Sequence, residues 1–168
     1  MYDDAVVVAL GSNLSGGFSS SKALLTAALG AFAASGLVVR AQSSWWRSAS
    51  WPDPTLPDYL NGVAIVETGL DPRATLAALH GLEQRFGRRR DEPNAPRTLD
   101  LDLIAHGRTI LSVGDLVLPH PRAAERGFVM GPLAEIAPDW VHPLLGRTAL
   151  ALAASATSGT DARPVEGQ

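Results

Sequence analysis

The chain has 168 residues, 46% of them hydrophobic, which suits one domain with a real apolar core. Its formal charge of −3 excludes the broad basic surface that bulk nucleic-acid binding needs, and the lack of cysteine excludes disulfides and thiolate metal sites. No apolar run reaches the roughly 18 residues of a membrane span, and the acidic start Met1-Tyr2-Asp3-Asp4 lacks the order of a signal peptide, so a soluble cytoplasmic protein is expected.

Ala5 to Leu10 is a continuous apolar run ended by Gly11-Ser12-Asn13, which predicts a buried strand leaving into a loop. Between Ser19 and Ala34, Leu24, Leu25, Ala28, Leu29 and Phe32 recur at helical spacing, and Ser35-Gly36 closes that helix. Leu37 to Ser44 reads as a second strand, and Trp45 to Pro57 as a loop, because it holds three prolines and no sustained period. Leu60 to Thr68 is a third strand. Asp71-Pro72 then supplies an N-cap and a first-turn proline for a helix from Arg73 to Phe86, which Gly87 ends.

After the polar stretch Arg88 to Arg97, a fourth strand is predicted over Leu99 to His106, with a tight turn at Gly107-Arg108 into a short strand at Thr109 to Leu111. Gly127 to Ile136 and Thr148 to Ala156 are predicted helices. The order β-α-β-β-α-β is that of an α+β, ferredoxin-like sandwich, a mainly antiparallel sheet with helices packed on it. One domain over residues 1–157 is expected, followed by a disordered tail over 158–168.

Asp100 and Asp102 stand two apart on a predicted strand, so their side chains share one face while Leu99, Leu101 and Leu103 supply the core on the other. Two adjacent carboxylates repel, and a divalent cation relieves this; oxygen-only donors favour Mg²⁺, which completes its shell with water and substrate phosphates. On spacing alone, the same pair also reads as an exposed strand face whose acids meet water. The arginines favour the first reading. Arg97 lies three residues before Asp100, and Arg88, Arg89 and Arg90 fill the preceding loop, where a polyphosphate would bridge them to the metal. The triplet also reads as a solvated charge run balanced by Asp91 and Glu92.

Pro119-His120-Pro121-Arg122, with Arg126 nearby, displays a histidine beside arginines and suggests an anion site. Trp45, Trp46 and Trp51 precede Pro57-Asp58-Tyr59-Leu60-Asn61, and an aromatic loop beside an amide side chain is a fair pocket for a flat heterocycle. The tryptophans also read as core or lid residues. Gly11 to Gly17 is no phosphate loop, because Lys22 is not placed as GxxxxGK[ST] requires.

Four motifs occur in order: Leu10-Gly11-Ser12-Asn13, Pro57-Asp58-Tyr59-Leu60-Asn61, Pro96-Arg97-Thr98-Leu99-Asp100-Leu101-Asp102, and Leu118-Pro119-His120-Pro121 with Arg126-Gly127-Phe128. Together they resemble the 6-hydroxymethyl-7,8-dihydropterin pyrophosphokinase family of folate biosynthesis, from Val6 to about Pro143. The resemblance implies transfer of the β,γ-pyrophosphoryl group of ATP to the pterin hydroxymethyl group, with release of AMP. It implies two Mg²⁺ ions on Asp100 and Asp102, and catalytic roles for these and for Arg88 and Arg97. On the ATP side it points to His80, Glu83, Arg90 and Arg97, and also to Leu103, His120 and Arg126. On the pterin side it points to Ser48, Ala49, Trp51, Tyr59 and Asn61, with Phe128 stacking on the ring.

The chain departs from the familiar pattern at Asn94-Ala95-Pro96-Arg97, where a tryptophan is absent, and at Ala49, where many members have proline. The small molecules ATP and hydroxymethyldihydropterin are the expected partners, without nucleic acid or membrane, and a monomer is expected. A non-catalytic ferredoxin-like domain binding RNA or a regulatory ligand is the alternative. An RNA-binding sheet would need exposed aromatics on central strands, where this chain has two acids.

Overall fold

In the computed structural model the described residues are 2, 4–13, 20–49, 58–86 and 99–166. Strands β1 (Val6–Ser12), β2 (Val38–Gln42), β3 (Trp46–Ser48), β4 (Tyr59–Glu67) and β5 (Asp100–His106) form the main sheet with β8 (Arg163–Pro164); β6 (Leu111–Val113) and β7 (Leu116–Leu118) form a separate hairpin. The helices are α1 (Ser21–Gly30), α2 (Pro72–Arg85), α3 (Gly127–Ile136) and α4 (Ala149–Ala154). Among the described residues no helix is long and apolar enough to cross a membrane.

The sheet runs β5-β1-β4-β3-β8, with β2 pairing the other half of β4. β1 is antiparallel to both β4 and β5. Each of the units β1-α1-β2 and β4-α2-β5 therefore skips one strand, which gives the ferredoxin-like arrangement. One face of the sheet, with Val8, Leu10, Ala64, Val66, Leu101 and Leu103, is buried with Leu25, Ala28 and Phe32 from the α1 region and Leu79 and Leu82 from α2. The other face, with Val7, Ala9, Val63, Ile65 and Ile104, is buried with Val129, Met130 and Leu133 of α3 and Leu152 of α4. A register shift on β5 lets Ile104 and Ala105 both join this second core.

Local chemistry sets the boundaries. The Asp71 carboxylate accepts from the Ala74 amide at 2.8 Å, and Pro72 stands in the first turn of α2. Ser20 and Thr148 cap α1 and α4 in the same way. Gly36, after a 3-10 turn over Ala33–Ser35, has φ +85, the left-handed conformation expected of a chain stop. Gly62 lies against the Trp45 ring, where an added Cβ would stand 2.6 Å from a ring carbon. The absence of a side chain on β4 is what lets that tryptophan enter the core.

Three predicted segments differ. Trp46–Ser48, expected inside a loop, is β3, and it pairs with Tyr59–Asn61 at the start of β4. The short strand expected at Thr109 to Leu111 lies at Leu111–Val113 and turns through Gly114, φ +61, into β7. Residues 158–166, expected to be a disordered tail, include β8, which pairs with β3, and the Val165 amide donates to the Trp45 carbonyl at 2.9 Å. The polar composition of this segment hides that β8 finds its partner in β3, far back in the chain. Gly87 as a helix stop, Trp51, and the Arg88 to Arg97 stretch lie outside the described residues.

Candidate active site

Strand register builds the site. Asp100 of β5 is paired with Gly11 of β1, Gly11 with Asn61 of β4, and Asn61 with Trp46 of β3. The next row in from it places Asp102 opposite Ala9 and Ala9 opposite Val63. Directly opposed residues share a face, so the two carboxylates and the Asn61 amide project from the side of the sheet that carries α3 and α4. Those helices cover the apolar end of the face. The end bearing Asp100, Asp102 and Asn61 is left open, and Gly11 and Ala9 give it a shallow floor.

A cavity of about 1150 Å³ stands over this floor, lined by Ser48, Ala49, Tyr59, Asn61, Asp100, Asp102, Arg126 and Phe128 among others. Its polar groups are tied together. The Asn61 side-chain N–H donates to Ser48 Oγ at 2.9 Å and to the Trp46 carbonyl at 3.4 Å, and both Asn61 and Ser48 are buried. The Arg126 guanidinium sits 5.6 Å from the centroid of the Phe128 ring, which is partly exposed to the cavity.

A second cavity, about 500 Å³, adjoins the edge of β5 and is lined by His80, Asp100 to Leu103, Asp115, His120 and Arg126 among others. The His120 amide donates to the Ile104 carbonyl at 2.8 Å, which fastens this loop along the strand edge. Burial lowers the His120 pKa; the positive Arg126 lowers it further, Asp100 opposes, and Arg122 adds to the lowering. This favours the uncharged ring, whose Nδ1 accepts from the Arg122 amide at 3.2 Å. The ring proton therefore rests on Nε2, which is the donor available to an anion.

Of the residues singled out in the sequence, Ser48, Ala49, Tyr59, Asn61 and Phe128 gather in the first cavity, and His80, Leu103 and His120 in the second. Asp100, Asp102 and Arg126 line both. Glu83 lines neither. It is wholly buried on α2, and its carboxylate accepts from the Leu101 amide, between the two aspartates, at 3.0 Å. Arg88, Arg90, Arg97 and Trp51 lie outside the described residues. Arg122 and Glu125, and the run Thr157 to Asp161, also line the first cavity but were no part of the expected set. Arg122 stands in the basic cluster beside His120 and was the one with a sequence signal.

Among the described residues no group of three histidines or acids could hold a metal ion. The donor set on offer is the pair Asp100 and Asp102, which fits a hard cation that keeps water and phosphate ligands and does not fit zinc.

A family model described as 7,8-dihydro-6-hydroxymethylpterin-pyrophosphokinase (HPPK) matches residues 7–138. The chain belongs to the HPPK family. A Pseudomonas aeruginosa protein named 2-amino-4-hydroxy-6-hydroxymethyldihydropteridine pyrophosphokinase is 40% identical over 137 residues, 80% of this chain and 81% of its own length. A Synechocystis sp. protein of the same name is 48% identical over 117 residues, 70% of this chain. The Pneumocystis carinii folic acid synthesis protein fol1 is 35% identical over 144 residues, 86% of this chain. The matched part spans 60% of the length of the Synechocystis protein and 19% of the Pneumocystis one.

HPPK domains in solved structures share the fold. A wild-type Plasmodium falciparum HPPK-DHPS with STZ-DHP superposes with a TM-score of 0.69 at 12% identity, over 89% of this chain and 42% of that one. An HPPK-DHPS in complex with substrates gives 0.71 at 10% identity, over 90% and 43%. At such identities the likeness is one of architecture, and it agrees with the strand order described above.

Proposed function

We propose that this HPPK chain transfers the terminal pyrophosphoryl group of ATP to 6-hydroxymethyl-7,8-dihydropterin, giving the pterin diphosphate and AMP. The observation that carries this reading is that Asp100, Asp102 and Arg126 line both cavities. An acid pair with a guanidinium at the junction of two pockets is where a charged group would pass from one substrate to the other.

The first pocket takes the pterin. Its partly exposed Phe128 ring suits stacking on a bicyclic ring, and the buried Asn61 amide suits the donor and acceptor edge of a heterocycle. The second pocket takes the triphosphate, where His120 offers its Nε2 proton and Arg126 its fixed charge. The pterin hydroxyl oxygen attacks the β-phosphorus, the bond from that phosphorus to the oxygen bridging to the α-phosphate breaks, and the hydroxyl proton passes to water. Asp100 and Asp102 would hold Mg²⁺, two ions by the family pattern, which when bound offsets the charge of the triphosphate. Arg88 and Arg97 would act on the same phosphates, as the motif around Pro96 to Asp102 implies.

Incubation with ATP, Mg²⁺ and hydroxymethyldihydropterin tests the reading. Pterin-dependent release of AMP is expected. Release of ADP, or nucleotide turnover indifferent to the pterin, would sink it.

A further inference from the structure

The segment Thr157 to Asp161 contributes five consecutive residues to the lining of the first cavity. One end is bolted to the entry of α3, between Glu125 and Gly127, beside Arg126 and Phe128. The Thr157 and Ser158 amides both donate to the Glu125 carbonyl, at 2.9 and 3.0 Å, and the Gly127 amide donates to the Ser158 carbonyl at 2.8 Å. The other end reaches the opposite wall. Asp161 Oδ2 accepts from the Ala49 amide at 2.7 Å, and β8 follows at once, pairing with β3.

No side chain fits where this strap meets the aromatic wall. Gly159 has φ +60, and a Cβ there would stand 2.3 Å from Cδ1 of Phe128. A Cβ on Gly127 would stand 2.5 Å from the Gly159 carbonyl oxygen. Two glycines thus set the distance between the strap and the Phe128 ring. On the far wall, Asp161 holds the Ala49 peptide, its neighbour Ser48 holds the Asn61 amide, and so one carboxylate fixes the line of polar groups along that side.

We propose that residues 158–161 form a third wall of the acceptor pocket, with Gly159 positioning Phe128 and Asp161 positioning the Ser48-Ala49 edge against the acceptor ring. The inference rests on the pterin reading of that pocket. Gly159 and Asp161 line the first cavity and not the second, and it is Ser158 that is bridged to Arg126, which lines both. Substitutions at Gly159 and Asp161 therefore bear on the acceptor and not on ATP.

The test uses the full chain, with Gly159→Ala, Asp161→Ala and Asp161→Asn, and measures kcat, the two KM values and the melting temperature. Gly159→Ala is expected to raise the acceptor KM about tenfold or more, since small displacements in a fitted site are expensive. Asp161→Ala should raise it roughly fivefold, whereas Asp161→Asn, which keeps an oxygen for the Ala49 amide, should stay within about twofold of the parent. The KM for ATP should move less than about twofold throughout. An unchanged acceptor KM in both Gly159→Ala and Asp161→Ala would overturn the proposal. So would an equal rise in both KM values, which marks a merely structural role, or a failure of Asp161→Asn to restore the parent value. If Gly159→Ala does not fold, the Asp161 pair decides alone. A parent chain that releases no AMP overturns the pterin reading and this proposal with it; a parent that releases AMP with indifferent variants overturns the strap alone.

Discussion

Individual side chains divide into those that face the cavities and those that hold the facing ones still. Asp102 is of the first kind, and it is half-buried on an open part of the sheet. Its replacement relieves repulsion with Asp100, so Asp102→Ala should leave the melting temperature nearly unchanged while AMP formation falls by about 10³-fold or more. Loss of activity with unfolding would leave its place in the metal pair unsupported. Glu83 is of the second kind. Its buried carboxylate accepts from the Leu101 amide on the side of β5 that faces away from β1. Glu83→Ala strips that amide of an acceptor and opens a void, and should lower stability by about 2–4 kcal/mol in denaturant unfolding. Glu83→Gln keeps an oxygen in place and should lose less.

Elements are joined here by groups whose protonation matters. His142, buried between α3 and α4, accepts at Nδ1 from the Leu144 and Leu145 amides, at 3.2 and 3.1 Å. Burial lowers its pKa, and Arg108 adds to the effect. His120 is lowered for similar reasons. A histidine whose folded pKa lies below the ordinary value of about 6.5 binds fewer protons when folded than when unfolded. Stability is then full above that value and falls as the pH drops through it. The melting temperature should be flat above about pH 7.5 and fall as the pH drops below about 6.5. His142→Asn, which keeps an acceptor for the two amides, should shallow that fall; an identical slope would assign the dependence elsewhere.

The elements differ in how far the sequence announces them. Helix α3 was read with the bounds Gly127 to Ile136 that the structure has, and α2 to within a residue at each end, because Asp71 and Pro72 cap it by local chemistry. β3 was not readable: three residues beside prolines carry no period, and Trp46–Ser48 is a strand only because β4 offers an edge to it. In the site, the Asp100 and Asp102 pair could be read from alternation along one strand. That Gly11 separates Asp100 from Asn61 could not, since it depends on the register of three strands. Asp161 meets Ala49 across 112 positions, and nothing local to either residue signals the meeting.

For the whole molecule, one sheet serves two cores. Trp45 is buried in the core under α1 and α2, and Trp140 in the one under α3 and α4. Because β1, β4 and β5 contribute side chains to both, neither core can be lost while the other persists. Unfolding followed by the tryptophan emission of Trp45→Phe and of Trp140→Phe should coincide, within each variant, with the far-ultraviolet circular dichroism. Separate transitions would show that the halves melt independently. The pairing of β8 with β3 has a bearing on biosynthesis. On a ribosome the strands that carry Asp100, Asp102 and Asn61 emerge well before residues 158–165, so the nascent chain exposes its acid pair while one side of the first cavity is still unmade. That side is made only when β8 has followed and paired with β3.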